Sequence, residues 1–329
     1  MHPHYQYQQS TWSGQWQEWL DLWGVDRVWH SEWSVWRQHN PLPDHQYWIE
    51  FSADLLCLMP QVSHRHRVLV WPGTTQQYRD TWLLDANTYM MHVKYHDDSE
   101  FEGRGWRVPC GKLVDRPLRV ALLNYLIHSD APVDMTWTMQ EQEHTQWHTI
   151  QQQYRRLNRR RFGLPALDHT QHTWPYRNTG RAWAWNLSGQ HTESWPTASV
   201  YLCIETAQMP VDVLDSTLTW PAITEKTFRA LAHGLPTVFW GCQHTIQYLH
   251  EQGYRTWGDH WSESYDAADT PEARLPMVMQ VIDEINSWSD QEWLNRWPDF
   301  QHIHRHNREN YALHHQRSRH NAEWLLNQL

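Results

Sequence analysis

Three groups of residues, far apart along the chain, have types and settings suited to holding an anionic ligand: Arg119, Glu205-Thr206, and Thr224-Glu225-Lys226. The last group stands between a polar loop and a segment in which Phe228, Leu231 and Ala232 share a helical face, so it marks a helix start. First-turn N–H groups of a helix lack internal partners and the dipole there is positive, which favours anions. Lys226 adds a full charge. It is one of three lysines, with Lys94 and Lys112, among 27 basic residues. A chain that otherwise uses arginine places a compact ammonium here. Thr224 suits the N-cap, and Glu225 is an acid favoured in a first turn. Glu205 ends the apolar run Val200-Tyr-Leu-Cys-Ile204. It either faces a cleft at a strand's carboxyl end, where ligands of parallel sheets bind, or pairs inside the fold. Arg119 opens the apolar segment Arg119–Leu126 and can grip a phosphate through two parallel hydrogen bonds. Arg116, three residues earlier, lies on nearly the same helix side and competes for that role.

The elements that must position these residues alternate. Arg119–His128 reads as a helix, Val133–Thr138 as a strand, and a long polar helix runs to about Phe162. Val200–Ile204 is a strand and Thr224–His233 a helix stopped by Gly234 and Pro236. Pro236–Trp240 is a strand, Thr245–Gln252 a helix ending at Gly253, and Tyr254–Trp257 a short strand. Glu272–Trp288 and most of 290–329 read as helical. This order predicts an α/β fold with a parallel sheet between helix layers. Upstream, the tryptophan spacing over 10–38 predicts two helices broken near Gly24, with Trp29, Trp33 and Trp36 on one face. Strand-like material follows at 46–59 and 67–71, and 81–95 is ambiguous. The run Gly103-Arg-Gly-Trp-Arg-Val-Pro-Cys-Gly111 predicts an interdomain link. The expected domains are 1–107 and 108–329.

In this order, Ile204-Glu205-Thr206, Thr224-Glu225-Lys226, Gly234, Pro236 and Gly241, with Arg119 and Val133-Asp134 upstream, resemble the donor-binding half of the α1,3-fucosyltransferases. The resemblance covers roughly residues 108–270. It implies a GT-B-like fold, two Rossmann-like domains facing across a cleft, and transfer of a sugar from a nucleotide-diphosphate donor, GDP-fucose being the one it suggests. Lys226 and Arg119 would hold the diphosphate, and Glu225 the ribose hydroxyls. Glu205, Thr206 and Thr224 complete the implied donor site. Thr206 stands where the family has Asn, and the loop 207–222 is longer than the family's. Transfer with inversion needs a general base from the first domain for a glycan or other hydroxyl acceptor. Glu50, in Trp48-Ile-Glu-Phe51, is the favoured candidate, beside Glu32, Asp54 and Glu100. No Asp-x-Asp occurs, so the reading is metal-independent and without a cofactor beyond the donor: fixed cations would stabilise the leaving diphosphate. The rival reading is a non-catalytic relative that binds glycan or nucleotide.

Composition sets further limits. A net charge of −10 over 329 residues argues against nucleic acid as a partner, although Arg155-Arg-Leu-Asn-Arg-Arg-Arg161 forms a local basic run. That run reads as a solvated helix face. The four cysteines form no Cys-x-x-Cys pair and read as reduced, buried thiols of a cytoplasmic protein. No leader and no membrane-spanning run is expected. Trp and His each number 25. Their spread along the chain makes tryptophan a core filler in place of Phe. It also makes His302-x-His304-x-His306 a poor metal site, because i and i+2 do not share a helix face. Trp261-Ser-Glu-Ser-Tyr-Asp266 is expected to cap the helix after it through Ser264 or Asp266.

Overall fold

The structure is a computed structural model that describes residues 28–30, 47–50, 66–71, 76–78, 81–85, 101, 103–109, 116–129, 131–136, 143–159, 162–165, 167, 199–205, 223, 225–232 and 234–328. These form two sheets. The first holds β1 (Val28–His30), β2 (Tyr47–Glu50), β3 (His66–Trp71), β4 (Gln76–Tyr78) and β5 (Thr81–Asp85) in the order β1-β2-β3-β5-β4. All its pairs are parallel except β4 with β5, a hairpin whose closing pair is Tyr78 opposite Thr81.

The second sheet is wholly parallel, ordered β7-β6-β8-β9, with β6 at Trp106–Pro109, β7 at Val133–Thr136, β8 at Val200–Ile204 and β9 at Thr237–Trp240. Every residue of β8 and β9 is buried, as a parallel sheet covered on both faces demands. Helix α1 (Pro117–Ile127) follows β6 and packs against α2 (Glu143–Asn158) and α5 (Pro271–Ser287). With neighbours on two sides it is buried nearly all round, from Arg119 to Leu126, and needs no polar face. Pro117 at its first turn costs no hydrogen bond there. Helix α3 (Glu225–Ala232) joins β8 to β9, and α4 (Thr245–Glu251) follows β9. Helix α5 starts at Thr270, whose hydroxyl accepts from the Ala273 N–H at 3.1 Å. The long α6 (Asp290–Gln328) runs past α3 and lies against β5 of the first sheet.

Tryptophan does fill the described core. Trp106, Trp240, Trp257, Trp261, Trp288, Trp293 and Trp297 are all buried. Trp257 stacks on Trp261 with ring centres 6.3 Å apart, and Trp261, Trp293 and Trp297 converge on Phe300. Cys203 and Cys242 are buried free thiols; Cys57 and Cys110 lie outside the described residues. No helix among the described residues is long and apolar enough to cross a membrane.

Four expectations give way. Val28–His30, placed in a tryptophan-striped helix, is a strand paired in register with Tyr47–Ile49. A segment of three residues is too short to carry a period that separates helix from strand. The rest of the two helices expected over 10–38 lies outside the described residues. The supposed link at 103–111 contains β6, an inner strand of the second sheet, so the boundary at 107/108 falls inside a strand. Tyr254–Trp257 is irregular, not a strand. The Asn307 side chain of α6 takes the place of a pairing strand there: its Oδ1 accepts from the Arg255 N–H at 2.8 Å, and its Nδ2 donates to the Arg255 carbonyl at 2.9 Å. Finally, Asp266 caps no helix after it. Its two carboxylate oxygens accept from the N–H groups of Ile246 and Gln247, each at 3.0 Å, closing the open start of α4 from across the fold.

Candidate functional site

Strand β8 and helices α1 and α3 bring Arg119, Glu205 and Lys226 to one sheet edge. Parallel strands β8 and β9 both end there, at Ile204 and Trp240, and the Glu205 N–H donates to the Trp240 carbonyl at 2.8 Å. The next residue along, Thr206, and all of the loop to 222 lie outside the described residues, as does Thr224. The chain re-enters at Ile223, buried, and α3 begins at Glu225. Of Glu225 the structure describes the backbone, in the first turn.

Glu205 is 1% exposed, and its carboxylate meets that same turn. Oε1 accepts from the Thr227 hydroxyl at 2.7 Å and from the Thr227 N–H at 3.3 Å. One first-turn donor of α3 is thereby satisfied by a side chain from the neighbouring strand. Lys226, one residue before Thr227, is 6% exposed. Burying an ammonium beside a helix start is costly unless acceptors surround it, and the Glu205 carboxylate enters this turn. Arg119 completes the arrangement from α1. It is 2% exposed, and its Nη2 donates to the Glu205 backbone carbonyl at 2.8 Å. Arg119, Glu205 and the Lys226-Thr227 turn, which span 108 residues of sequence, are thus tied together at the carboxyl edge of β8. Arg116, the competitor, stands at the N-cap position of α1, without a capping bond from its side chain, and is half-buried.

Of the two alternatives for Glu205, the structure shows the paired one. It stands at the strand's carboxyl end, and its carboxylate is engaged within the fold by Thr227. Arg119 carries a hydrogen bond to the main chain, a bracing contact that its sequence setting did not announce. Thr227 was not singled out from sequence. The available signal was its place directly after Lys226, where a hydroxyl at a helix start can hold a carboxylate. Glu50 closes β2 in the first sheet, which is where the structure describes its backbone. Glu32, Asp54 and Glu100 lie outside the described residues.

The remaining motifs separate. Arg155, Arg156 and Arg159 are exposed at the end of α2, as a solvated face would be. The three histidines of 302–306 diverge on α6. His302 meets the Arg255 guanidinium at 3.2 Å, His304 is buried beneath Gly234, and His306 contacts the Gly253 carbonyl at 2.9 Å. Among the described residues no group of three His, Cys, Asp or Glu side chains is placed to hold a metal ion.

One described cavity, of about 660 Å³, lies between α4, the segment 254–263 and α6. Glu263 lines it. Burial pushes this carboxyl up to about 7, against hydrogen bonds from Thr256 and the Trp257 N–H that lower it. Asp266 and Asp259 nearby raise it further. Burial lowers the His260 imidazole in the same wall.

The fold and this edge define an α/β protein with a polar, charged cluster at the carboxyl end of a parallel sheet. No family model matches the chain, and no curated protein matches it either.

Proposed function

We propose that the chain is a glycosyltransferase of GT-B type that moves a sugar, fucose from GDP-fucose in the favoured form, to a hydroxyl acceptor with inversion and without an obligatory metal. The single observation that carries this reading is the meeting of Arg119, Glu205 and the first turn of α3, with Lys226 in it, at one edge of a parallel sheet. Nucleotide ligands of open α/β sheets bind at that edge. A diphosphate there would meet the positive end of α3 and a fixed ammonium, both of which stabilise charge as it develops on the leaving group. Glu225, one residue earlier in the turn, would take the ribose hydroxyls, and Thr206 and Thr224 flank the same opening in the sequence. Two further features support the two-domain form: a second, mostly parallel sheet formed by 28–85, and a last helix that reaches from the second sheet's layer to β5. Glu50 at the end of β2 would be the base that takes the acceptor's proton.

The buried bond from Arg119 to a main-chain carbonyl favours a second reading, a non-catalytic relative that keeps the binding edge without the chemistry. In that case the cluster serves chiefly to join α1, β8 and α3.

A thermal-shift screen with GDP, UDP, ADP and CMP tests the site. A ligand bound only to the folded chain raises the midpoint by mass action, by about 2.7 kcal/mol of stability at a hundred times its dissociation constant. GDP is expected to raise the midpoint, and Lys226→Ala to abolish that rise. No shift with any nucleotide would defeat the proposal. Release of nucleotide from donor in the presence of acceptor separates enzyme from binding protein.

A further inference from the structure

The 660 Å³ cavity stands apart from the nucleotide edge. Its α6 wall, at Asp299, His302 and Ile303, adjoins Gln301 and His304, which pack on Gly234 in the turn that leads into β9. The cavity therefore belongs to the amino-edge side of the sheet, opposite Glu205.

A hydrogen-bonded series lines it. The Thr256 hydroxyl donates to Glu263 Oε2 at 2.6 Å and lies 2.8 Å from His250 Nε2. A hydroxyl has one proton to give, so while it donates to an ionised Glu263 it must accept from His250 Nε2–H. With Glu263 protonated, the series reverses: the carboxyl donates to Thr256 and Thr256 to His250. His250 is exposed, so the series joins a partly buried carboxyl to solvent. Gly258 lies beside it, and a Cβ there would stand 2.8 Å from Glu263 Oε2, so the carboxylate would have to shift.

The charges around Glu263 are mostly of its own sign. Asp259 and Asp299 line the cavity with it, and Asp266 lies nearby. The one guanidinium in the wall, Arg255, is directed to His302. Glu263 spends one hydrogen bond on each oxygen, from Thr256 and from the Trp257 N–H at 3.2 Å, and a carboxylate can accept about four. Tyr254 and His260 complete the walls.

We propose that this cavity is a binding site for a small organic amine, held as its ammonium by Glu263 with Asp299, and that Thr256 and His250 carry the proton Glu263 gives up on binding. The balance is simple: a protonated Glu263 and an ammonium become a carboxylate–ammonium pair, and one proton leaves through Thr256 to His250 and water. The site is independent of the glycosyltransferase reading.

Calorimetric titration of the full chain with putrescine at pH 6 and pH 8 tests it, with 1,4-butanediol as the uncharged analogue and magnesium chloride as a plain cation. Putrescine is doubly charged at both pH values. Glu263 must be ionised to pair with it, so affinity is expected to be about tenfold higher at pH 8. His250, His260 and His302 also line the cavity. Glu263→Gln keeps all three, so it isolates the carboxyl: it is expected to weaken binding at pH 8 at least tenfold and to flatten the pH dependence. Asp299→Asn, on an exposed turn of α6, should weaken binding without touching the hydrogen-bonded series, and it serves if Glu263→Gln does not fold. Equal binding of butanediol, equal effect of magnesium, or wild-type affinity in either variant would overturn the proposal. GDP-induced thermal shifts should be the same with and without putrescine, so the two sites fail or succeed separately.

Discussion

At the level of single residues, this protein places charge where burial makes it costly and then surrounds it. Arg119 shows the pattern at the carboxyl edge of β8: a guanidinium inside the fold, donating to the carbonyl of Glu205, with Thr227 donating to the Glu205 carboxylate. Glu263 shows it on the other side, with a measurable consequence. Its folded-state value of about 7 lies above the ordinary 4.5, so the folded chain binds the extra proton between those values. The sign follows. The neutral carboxyl's contribution is fully present below pH 4.5 and is lost as pH rises through about 7, a fall of at most roughly 3 kcal/mol. Denaturant unfolding of wild type and Glu263→Gln across pH 4–8 checks this. The wild type is expected to lose stability relative to the variant over that window, with no further relative change above pH 8. A constant difference across the window would show that Glu263 titrates at its ordinary value.

At the level of elements, what the sequence reveals and what it conceals have different physical origins. Helices α1, α3, α4 and α5 and strands β7, β8 and β9 lie within a few residues of their expected places, because each is bounded by local chemistry. Pro117 and Thr270 start helices, and Gly253, at a φ of 83°, stops one. The carboxyl edge was legible for the same reason: Glu205 and Lys226 sit at element ends that the chain marks locally. Concealed were the arrangements that depend on distant partners. Nothing near Arg255 announces that Asn307, fifty-two residues on, will bond both its N–H and its carbonyl. Nothing near Asp266 points back to α4. The bond from Arg119 to Glu205 is of this kind too. The Asn307 amide, wholly buried, is a direct test. Asn307→Ala removes both bonds and leaves the Arg255 main chain without its partner, at a cost of about 2–3 kcal/mol. Urea unfolding gives the loss, and hydrogen exchange should show the Arg255 amide among those that lose most protection. A loss under roughly 0.5 kcal/mol, the range of an ordinary surface change, would mean that water replaces Asn307 without penalty.

At the level of the whole molecule, the question is where the second sheet's unit begins. A boundary at 107/108 divides β6, which pairs with β7 through Trp106–Pro109 and with β8 through Trp106 and Arg107. The residues before it also belong to this unit. Phe101 stacks on Trp293 at 5.9 Å and meets Trp297 edge-on at 5.6 Å. Arg104 Nη1 donates to the Trp288 carbonyl at 3.1 Å, and Trp106 Nε1 donates to Asn286 Oδ1 at 2.7 Å. Residues 101–106 are thus fastened to the junction of α5 and α6 by aromatic and polar contacts. The Arg104–Asp290 ion pair, at 2.7 Å and largely exposed, adds little. The unit therefore begins at or before Phe101. A chain of residues 101–329 is expected to unfold in a single cooperative transition. A chain of residues 110–329 lacks β6 altogether, which strips β7 of its partner and leaves one side of β8 unpaired over buried main-chain groups. It is expected to show no cooperative thermal transition and to bind the hydrophobic dye ANS. Equal cooperativity in the two chains would remove β6 from the centre of the sheet. It would also move the unit's start back to the glycine-rich run that looks, in the sequence, like a link.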